Sequence, residues 1–253
     1  MLEHIAEHSR RPEIVLLHDP VPFGALNVLD EVPGEEMEER LLFRAQPETR
    51  RFALQHRAFA EAIAGAGFTC RYLGELVGDS ACFGIAGSDP NLMFTRDAAI
   101  TLPWAPDVYL PAHMAKPLRG AEVVVLSTAL EALGLQRVEW RGSDDAYLEG
   151  GDVVPFSRGG NRCLLVGYAR RSTLKAVRHL REALVPYLAD EIFAIELAPW
   201  RMNLDGGLLP VADDVVVAHP PHRPHPAPGA DSSEQRAGRP LVRDLAAASS
   251  EGG

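Results

Sequence analysis

The segment LEGGD, residues 148–152, is the stretch that decides how this chain folds and what its site contains. It follows a second acidic segment, PNLMFTRD at residues 90–97, and it precedes an Asn-Leu-Asp stretch at residues 203–205. One such segment alone would be a weak signal, but three in a fixed order are more specific.

These segments, together with an opening PEIVLLHDP at residues 12–20, resemble the arginine deiminase and amidinotransferase family of guanidine-modifying enzymes. PNLMFTRD and LEGGD match the first two motifs of that family, and residues 203–205 lie where the family has His-x-Asp. The resemblance covers residues 11–222. It implies a pentein fold, an α/β propeller in which five strand-and-helix modules surround a pseudo-fivefold axis with the active site at its centre.

The guanidinium group of such a substrate explains the carboxylates. It is planar, cationic and rich in N–H donors, so a site that holds it needs several carboxylates around its rim. The resemblance assigns this role to Asp97, Glu149 and Asp205. The family's chemistry then needs a cysteine thiolate to attack the central carbon and a histidine to manage protons on the leaving amine.

Two of the family's catalytic groups are missing from this sequence. Asn203 stands where the family has its histidine, and asparagine cannot carry a proton near neutral pH. The family's nucleophile lies near the C-terminus, whereas no cysteine follows Cys163 here. Cys70 and Cys163 lie in apolar, strand-like surroundings and are predicted to be buried. Cys82 precedes the first motif and is the remaining candidate nucleophile.

The resemblance also implies further ligand contacts. Asn91 and Phe94 match positions that line the guanidine and its aliphatic stem. Arg119 and Arg171 align with two arginines that grip the substrate carboxylate in arginine-specific members, a task that suits the guanidinium fork. The alternative for each is a solvated surface arginine. Asp152 is either a site carboxylate, which we favour, or an acceptor that holds the Gly-Gly turn.

Composition limits the classes of partner and compartment. The net charge of -10 argues against a nucleic acid partner, because phosphate binding needs a basic surface. No apolar run is long enough to span a bilayer, and the N-terminal residues lack the apolar core of a signal peptide. Three scattered cysteines suit a reducing compartment. We therefore predict a cytoplasmic protein.

Neither a metal nor a cofactor is predicted. His219, His222 and His225 are spaced by prolines, without cysteine or acidic partners at ligand spacing. The expected ligand is a small guanidino compound such as arginine. A homo-oligomer or an active paralogue is the protein partner that the sequence leaves open.

Hydrophobic periodicity predicts alternating strands and helices, which define an α/β or α+β chain. Strands are predicted at residues 13–18, 68–73, 98–102, 136–140, 191–197 and 214–218, and a hairpin at residues 153–156 and 163–167. Helices are predicted at residues 47–66, 121–133 and 172–184. Residues 21–42, rich in proline, glycine and acidic residues, are predicted to form a loop.

The sequence changes character after His219. The stretch at residues 220–240 has almost no apolar residue, so it cannot bury enough surface to offset its ordering entropy. We predict one pentein-like domain at residues 11–222, with its last module incomplete, followed by a disordered tail at residues 223–253. Within that tail, the run LVRDLAAA at residues 241–248 is long enough for one or two helical turns.

Three functional hypotheses stay open. The first is a family enzyme that hydrolyses arginine or another guanidino compound, or transfers its amidino group. The second is a non-catalytic guanidinium-binding protein that keeps Asp97, Glu149 and Asp205. The third is a truncated product that has lost its last module. Because carboxylates alone supply no nucleophile, turnover by this chain is predicted to be impaired.

Overall fold

A computed structural model describes residues 14–212, 215–219 and 242–244 of the chain. The strands are β1 Ile14–Leu17, β2 Thr69–Tyr72, β3 Ala99–Leu102, β4 Ala105–Pro111, β5 Gln136–Arg137, β6 Val153–Arg158, β7 Asn161–Tyr168, β8 Glu191–Glu196, β9 Leu208–Ala212, β10 Val215–Ala218 and β11 Val242–Asp244. The helices are α1 Gly34–Leu41, α2 Thr49–Gly65, α3 Leu73–Val77, α4 Ala81–Ala86, α5 Thr95–Ala98, α6 Gly120–Ala132 and α7 Leu174–Leu184. Short 3₁₀ turns cover Ala25–Glu31, Pro90–Met93, Pro117–Arg119 and Gly150–Asp152.

The described strands form four small, open sheets instead of one large one. β1 pairs in parallel with β2, and β9 pairs antiparallel with β10. A three-stranded sheet has the order β3-β4-β5, and the largest sheet has the order β11-β8-β7-β6. In that largest sheet β7 and β8 run parallel, and α7 supplies the crossover that a parallel pair requires.

Two apolar clusters support the segments that carry the predicted motifs. One joins α7 to the sheet of β6, β7 and β8, where Val153 and Val177 are buried. The other packs α3, α4 and α5 against α6, with Leu73 and Val125 fully buried at its centre. The motif at residues 90–97 and the motif at residues 148–152 each lead directly into one of these packed regions, so their backbones are held by rigid elements.

Most of the predicted strands and helices are confirmed, but the loop predicted at residues 21–42 is wrong. That stretch holds a 3₁₀ turn and α1, because Leu26, Leu29 and Met37 form a small apolar cluster of their own. Two strands, β4 and β9, were not predicted. Both contain proline, which lowers the expectation of a strand when only the sequence is considered.

The described part of the predicted tail is the strand β11. Its three residues pair antiparallel with β8 between Phe193 and Ile195, so the helical turn expected there is wrong for these residues. Their backbone instead extends the edge of the largest sheet. The disorder predicted for the rest of residues 223–253 lies outside the described residues. Within the described ranges, no helix has the length and apolar character needed to cross a membrane.

Candidate active site

Asp97 lies in the single-turn helix α5 and is held by a buried arginine. Its Oδ2 accepts a hydrogen bond from Nη1 of Arg119 at 3.0 Å. Nε and Nη2 of Arg119 donate to the two carboxylate oxygens of Glu122, at 2.6 and 2.8 Å. Burial opposes the charge of Arg119, but the hydrogen bonds and charges of Glu122 and Asp97 outweigh it and raise the pKa of the guanidinium. All three nitrogens of this guanidinium therefore have acceptors within the protein.

Glu149 is fully buried and is held from three sides. Its Oε1 accepts hydrogen bonds from Nε of Arg171 at 2.9 Å and from the backbone N–H of Ala115 at 3.3 Å. Its Oε2 accepts a longer hydrogen bond of 3.5 Å from Nδ2 of Asn203. A buried charge is tolerable only when it is paired and hydrogen-bonded, and these contacts meet that requirement.

Arg171 differs from Arg119 because it has unused donors. Its side chain is only 5% exposed, yet Nη1 and Nη2 have no hydrogen-bond partner among the described residues. Leaving a buried donor unpaired costs roughly 1–3 kcal/mol, and more when the group is charged. Two N–H donors on a planar fork match the geometry of a carboxylate. Arg171 therefore has two buried, unused donors beside Glu149.

Asp152 ties two loops of the site together from inside the protein. Its Oδ2 accepts a hydrogen bond from the hydroxyl of Ser172 at 2.6 Å, and its Oδ1 accepts one from the backbone N–H of Leu204 at 2.9 Å. The same Ser172 hydroxyl accepts the backbone N–H of Glu149 at 3.1 Å. Burial, with a smaller contribution from the charges of Glu149 and Asp205, raises the pKa of Asp152 to about 7.

The two glycines of LEGGD allow the other segments to approach. A β-carbon at Gly150 would lie 1.9 Å from the backbone oxygen of Arg96. A β-carbon at Gly151 would lie 2.8 Å from Oδ1 of Asp97 and 3.1 Å from the β-carbon of Asn203. Both distances are shorter than real side chains tolerate without movement. Glycine at these positions is therefore what brings the three acidic segments into contact.

The stretch at residues 203–205 joins the site through its backbone and through both polar side chains. The backbone N–H of Asp205 donates to the oxygen of Gly151 at 2.9 Å. The carboxylate of Asp205 forms an ion pair with Arg96, with 3.2 Å between Nε and Oδ2. A second contact of Arg96, from Nη2 to the backbone oxygen of Val153 at 3.0 Å, fixes this arginine against β6. Arg96 thus links the first, second and third motifs.

Asn91 and Phe94 lie within the first motif and differ in burial. Asn91 is buried, and its Nδ2 donates to the backbone oxygen of Leu41 at 3.0 Å. Phe94 follows the 3₁₀ turn and is 48% exposed. The aromatic ring is therefore free to cover a ligand, whereas the amide of Asn91 anchors α1. A ligand contact from Asn91 stays a prediction.

Cys82 lies away from the motif residues. Its Sγ is 3.1 Å from the hydroxyl oxygen of Ser80 and 3.7 Å from that of Thr128 on α6. Thr128 is about 12 Å along α6 from the start of that helix near Arg119, at 1.5 Å per residue. Although desolvation opposes it, hydrogen bonds from Ser80 and Thr128 lower the pKa of the Cys82 thiol. The geometry does not connect this thiol to the carboxylates.

The contacts above link Asp97, Glu149, Asn203 and Asp205, together with Asp152, around Gly151. Sequence reasoning missed three residues that organise this group: Arg96, Glu122 and Ser172. A signal for Glu122 was present, because an acid three residues after an arginine on a helix forms a standard pair. Nothing in the sequence indicates Ser172. Its hydroxyl contacts Glu149 and Asp152, which are 23 and 20 residues away in the chain, so no local pattern connects them.

A cavity of about 950 Å³ opens beside Arg96. Gly150, Val153 and the strand β3 also line it, but Asp97, Glu149 and Asn203 do not. Across the described ranges, no group of three or more His, Cys, Asp or Glu side chains is arranged to hold a metal ion.

A family model described as arginine deiminase matches residues 87–222 of this chain. That range includes every carboxylate and ligand contact predicted from the sequence, but not the candidate nucleophile Cys82. None of the curated proteins compared with the chain matches it.

Solved structures share its fold. The N-terminal domain of ArgZ, an arginine dihydrolase from the ornithine-ammonia cycle in Cyanobacteria, gives a TM-score of 0.59 at 20% identity over 82% of this chain and 66% of that domain. DDAH from Pseudomonas aeruginosa, in complex with citrulline, gives 0.56 at 14% identity over 81% of this chain and 68% of that one. A complex of AgrE with L-arginine gives 0.59 at 21% identity over 82% and 27%. This chain thus spans less than two thirds of the ArgZ domain. The likeness shows a pentein-like α/β fold.

Proposed function

The chain belongs to the arginine deiminase family, and on that premise we propose that it binds arginine or a related guanidino compound through Asp97, Glu149 and Asp205. One observation above all supports this proposal. Carboxylates from three segments meet around Gly151, and one of them, Glu149, pairs with Arg171, whose Nη1 and Nη2 have no acceptor within the described residues. A ligand with a guanidinium at one end and a carboxylate at the other complements both features.

In the proposed complex, Asp97 and Glu149 accept hydrogen bonds from the guanidinium of the ligand. Arg119 already binds Oδ2 of Asp97, which leaves Oδ1, the oxygen nearest Gly151, for the ligand. Arg119 then acts as a positioning residue for Asp97. The role predicted for Arg119 from the sequence, binding of the substrate carboxylate, stays a prediction. It would need donors that Glu122 occupies.

The other end of the ligand is assigned to Arg171 and Phe94. The open Nη1 and Nη2 of Arg171 would bind the carboxylate of arginine, and the half-exposed ring of Phe94 would cover its aliphatic stem. Asp152 stays behind the site, where its hydrogen bonds hold Ser172 and the loop that carries Asn203. Its proposed role is therefore to position Glu149 and Asn203.

For turnover, we propose that the chain is impaired. Asn203 donates to Glu149 at the position where a protonatable group is needed, and an amide cannot exchange protons near neutral pH. The runner-up is hydrolysis or amidino transfer through Cys82, which is favoured only by the lowered pKa of its thiol. Its distance along α6 from Arg119 argues against that alternative.

Isothermal titration with arginine and agmatine, run beside assays for citrulline and ammonia on the same sample, tests the proposal. We expect arginine to bind without turnover, and we expect Glu149→Gln and Asp97→Asn to abolish binding because each removes an acceptor charge. Asp145→Asn is the matched control, since Asp145 is an exposed carboxylate paired with Lys175. Circular dichroism of each variant verifies its fold.

Two results would contradict the proposal. Release of citrulline or ammonia that iodoacetamide stops by modifying Cys82 would replace a binding protein with an enzyme. A wild-type chain that is folded by circular dichroism but binds neither arginine nor agmatine would remove guanidino compounds as its ligands.

A further inference from the structure

A small cavity of about 270 Å³ lies where the strands β1 and β2 end. His18 directly follows β1 and Tyr72 ends β2, and both line this cavity together with Asp19, Phe23 and Glu75. The carboxylates and arginines of the candidate active site do not line it. A water molecule takes up about 30 Å³ of liquid, so the cavity has room for a ligand of several heavy atoms.

The imidazole of His18 has one nitrogen without a partner. The side chain is almost fully buried, and Nδ1 has no hydrogen-bond partner among the described residues. Nε2 lies 3.2 Å from the backbone oxygen of Gly87. Because Gly87 does not line the cavity, the wall that His18 provides comes from the remainder of its ring, which includes Nδ1.

The contact with Gly87 decides what Nδ1 can bind. A carbonyl oxygen only accepts hydrogen bonds, so Nε2 carries the proton and Nδ1 presents a lone pair. Burial lowers the pKa of His18 to about 4, although the hydrogen bond to Gly87 and the charge of Asp19 oppose this. The ring therefore stays neutral near pH 7, and Nδ1 requires a donor. An unpaired buried acceptor costs roughly 1–3 kcal/mol, which a donor on a ligand would offset.

The other residues around the cavity favour a cation. Asp19 and Glu75 contribute two carboxylates, and no lysine or arginine of the described residues lines the cavity. The ring of Phe23 stacks on His18 with 5.4 Å between the ring centroids, and Tyr72 adds a second aromatic ring to the wall. The faces of aromatic rings attract cations, whereas an anion would be repelled by the carboxylates.

We propose that this cavity binds a small organic cation with N–H groups, an ammonium or a guanidinium. One N–H of the ligand donates to Nδ1 of His18, and its positive charge lies near Asp19 and Glu75. None of these residues belongs to the arginine site proposed above, so either site can exist without the other.

Proton–nitrogen correlation NMR of the histidine rings in the full chain tests this second site. We expect methylguanidinium or methylammonium to shift the Nδ1 resonance of His18 until it saturates, and the stronger of the two identifies the preferred head group. Tetramethylammonium has the charge without N–H groups, and methylurea has N–H groups without the charge. Neither should reproduce the saturable shift. Loss of the signal in His18→Phe assigns it.

Variants separate this cavity from the rest of the surface. Glu75→Gln should weaken binding of the cation about tenfold, because it removes one of the two charges. Asp79→Asn is the matched control, since Asp79 is an exposed carboxylate that does not line the cavity. If Glu75→Gln does not fold, Asp19→Asn replaces it with the same expected loss. Asp97→Asn, which disrupts the proposed arginine site, should leave the shift unchanged.

Every other result overturns the proposal. If neither cation gives a saturable shift, the cavity holds only water. An equal response to methylurea or tetramethylammonium would mean that the cavity does not require both the charge and the N–H group. Equal binding by the wild type, Glu75→Gln and Asp79→Asn would remove the carboxylates from the site. A shift that disappears in Asp97→Asn would belong to the arginine site instead.

Discussion

The site has two halves, one around Asp97 and one around Glu149. Their arrangement is similar, but they differ in whether the paired arginine has unused hydrogen-bond donors. In each half a carboxylate pairs with a buried arginine 22 residues later, since 119 − 97 and 171 − 149 both equal 22. Arg119 is fully satisfied because Glu122 lies three residues after it, whereas Leu174 occupies that place after Arg171. One extra acid therefore distinguishes an arginine that positions Asp97 from an arginine that is open to a ligand.

The second half has an extra acid at a different point. Asp152 lies three residues after Glu149, whereas the residue three after Asp97 is the buried Ile100. The buried acid in the first half neutralises a cation. In the second half it binds Ser172 and a backbone N–H and has no cation of its own. The two halves should therefore respond differently to mutation.

The largest expected effect comes from breaking the complete pair in the first half. Glu122→Gln leaves the buried charge of Arg119 with only Asp97, and removal of one partner of a buried ion pair costs about 3–5 kcal/mol. Denaturant unfolding measures this loss of stability, with the exposed Glu182→Gln on α7 as control. A loss below about 1 kcal/mol would mean that Arg119 is not the buried, fixed group described here.

The second effect is a pH dependence in the Glu149 half. With a pKa of about 7 when folded against an ordinary value of 3.8, Asp152 keeps a proton in the folded state that the unfolded state releases. The protonated Asp152 therefore contributes about 4 kcal/mol to the free energy of unfolding below pH 4. This contribution is lost as the pH rises to 7. Unfolding curves of wild type and Asp152→Asn should converge or cross over this range. Parallel curves would contradict the shift.

A third prediction addresses the open arginine. Arg171→Met removes the two unpaired donors, together with the Nε–H that donates to Glu149, and keeps most of the aliphatic stem, so the affinity for arginine should fall roughly 10- to 100-fold, or about 1.5–3 kcal/mol. Agmatine lacks the carboxylate, so its affinity should fall less. Titration calorimetry measures both ligands, with the exposed Arg178→Met as control. An equal loss for both ligands would show that Arg171 does not bind the carboxylate.

The smallest expected effect would make the second half resemble the first. Leu174→Glu places an acid three residues after Arg171, where it can occupy Nη1 and Nη2 as Glu122 occupies the donors of Arg119. Affinity for arginine should then fall about tenfold, or about 1.4 kcal/mol. Leu174→Gln is the matched uncharged control in the same titration. Equal losses in the two variants would attribute the effect to lost packing of Leu174.

Much of the secondary structure followed from sequence, because it depends on contiguous patterns. Apolar periodicity is local, so α2, α6, α7 and the β6–β7 hairpin were predicted. The acidic motifs are also contiguous and were recognisable one by one. The helices at residues 25–41 were missed because a few scattered apolar residues make their cluster.

Whether each polar group has hydrogen-bond partners could not be derived from local sequence patterns. Arg119 and Arg171 gave the same prediction, and only the three-dimensional contacts separate the satisfied side chain from the open one. The bridging role of Arg96 also depends on Asp205, which is more than 100 residues away in the chain. Contacts of this kind depend on how the sheets are placed, and local pattern carries no information about that placement.

Arg96, Asp97 and Asn203 approach Gly150 and Gly151 closely, and this limits which substitutions the sequence can tolerate. Every amino-acid change at a glycine codon adds at least a β-carbon, so even the mildest replacement pushes on the backbone of Arg96 or on Asp97. Gly84, by contrast, has nothing within 4 Å of that position. When every single substitution of the chain is tested, we expect almost no folded variants at positions 150 and 151. We expect most substitutions at position 84 to be tolerated.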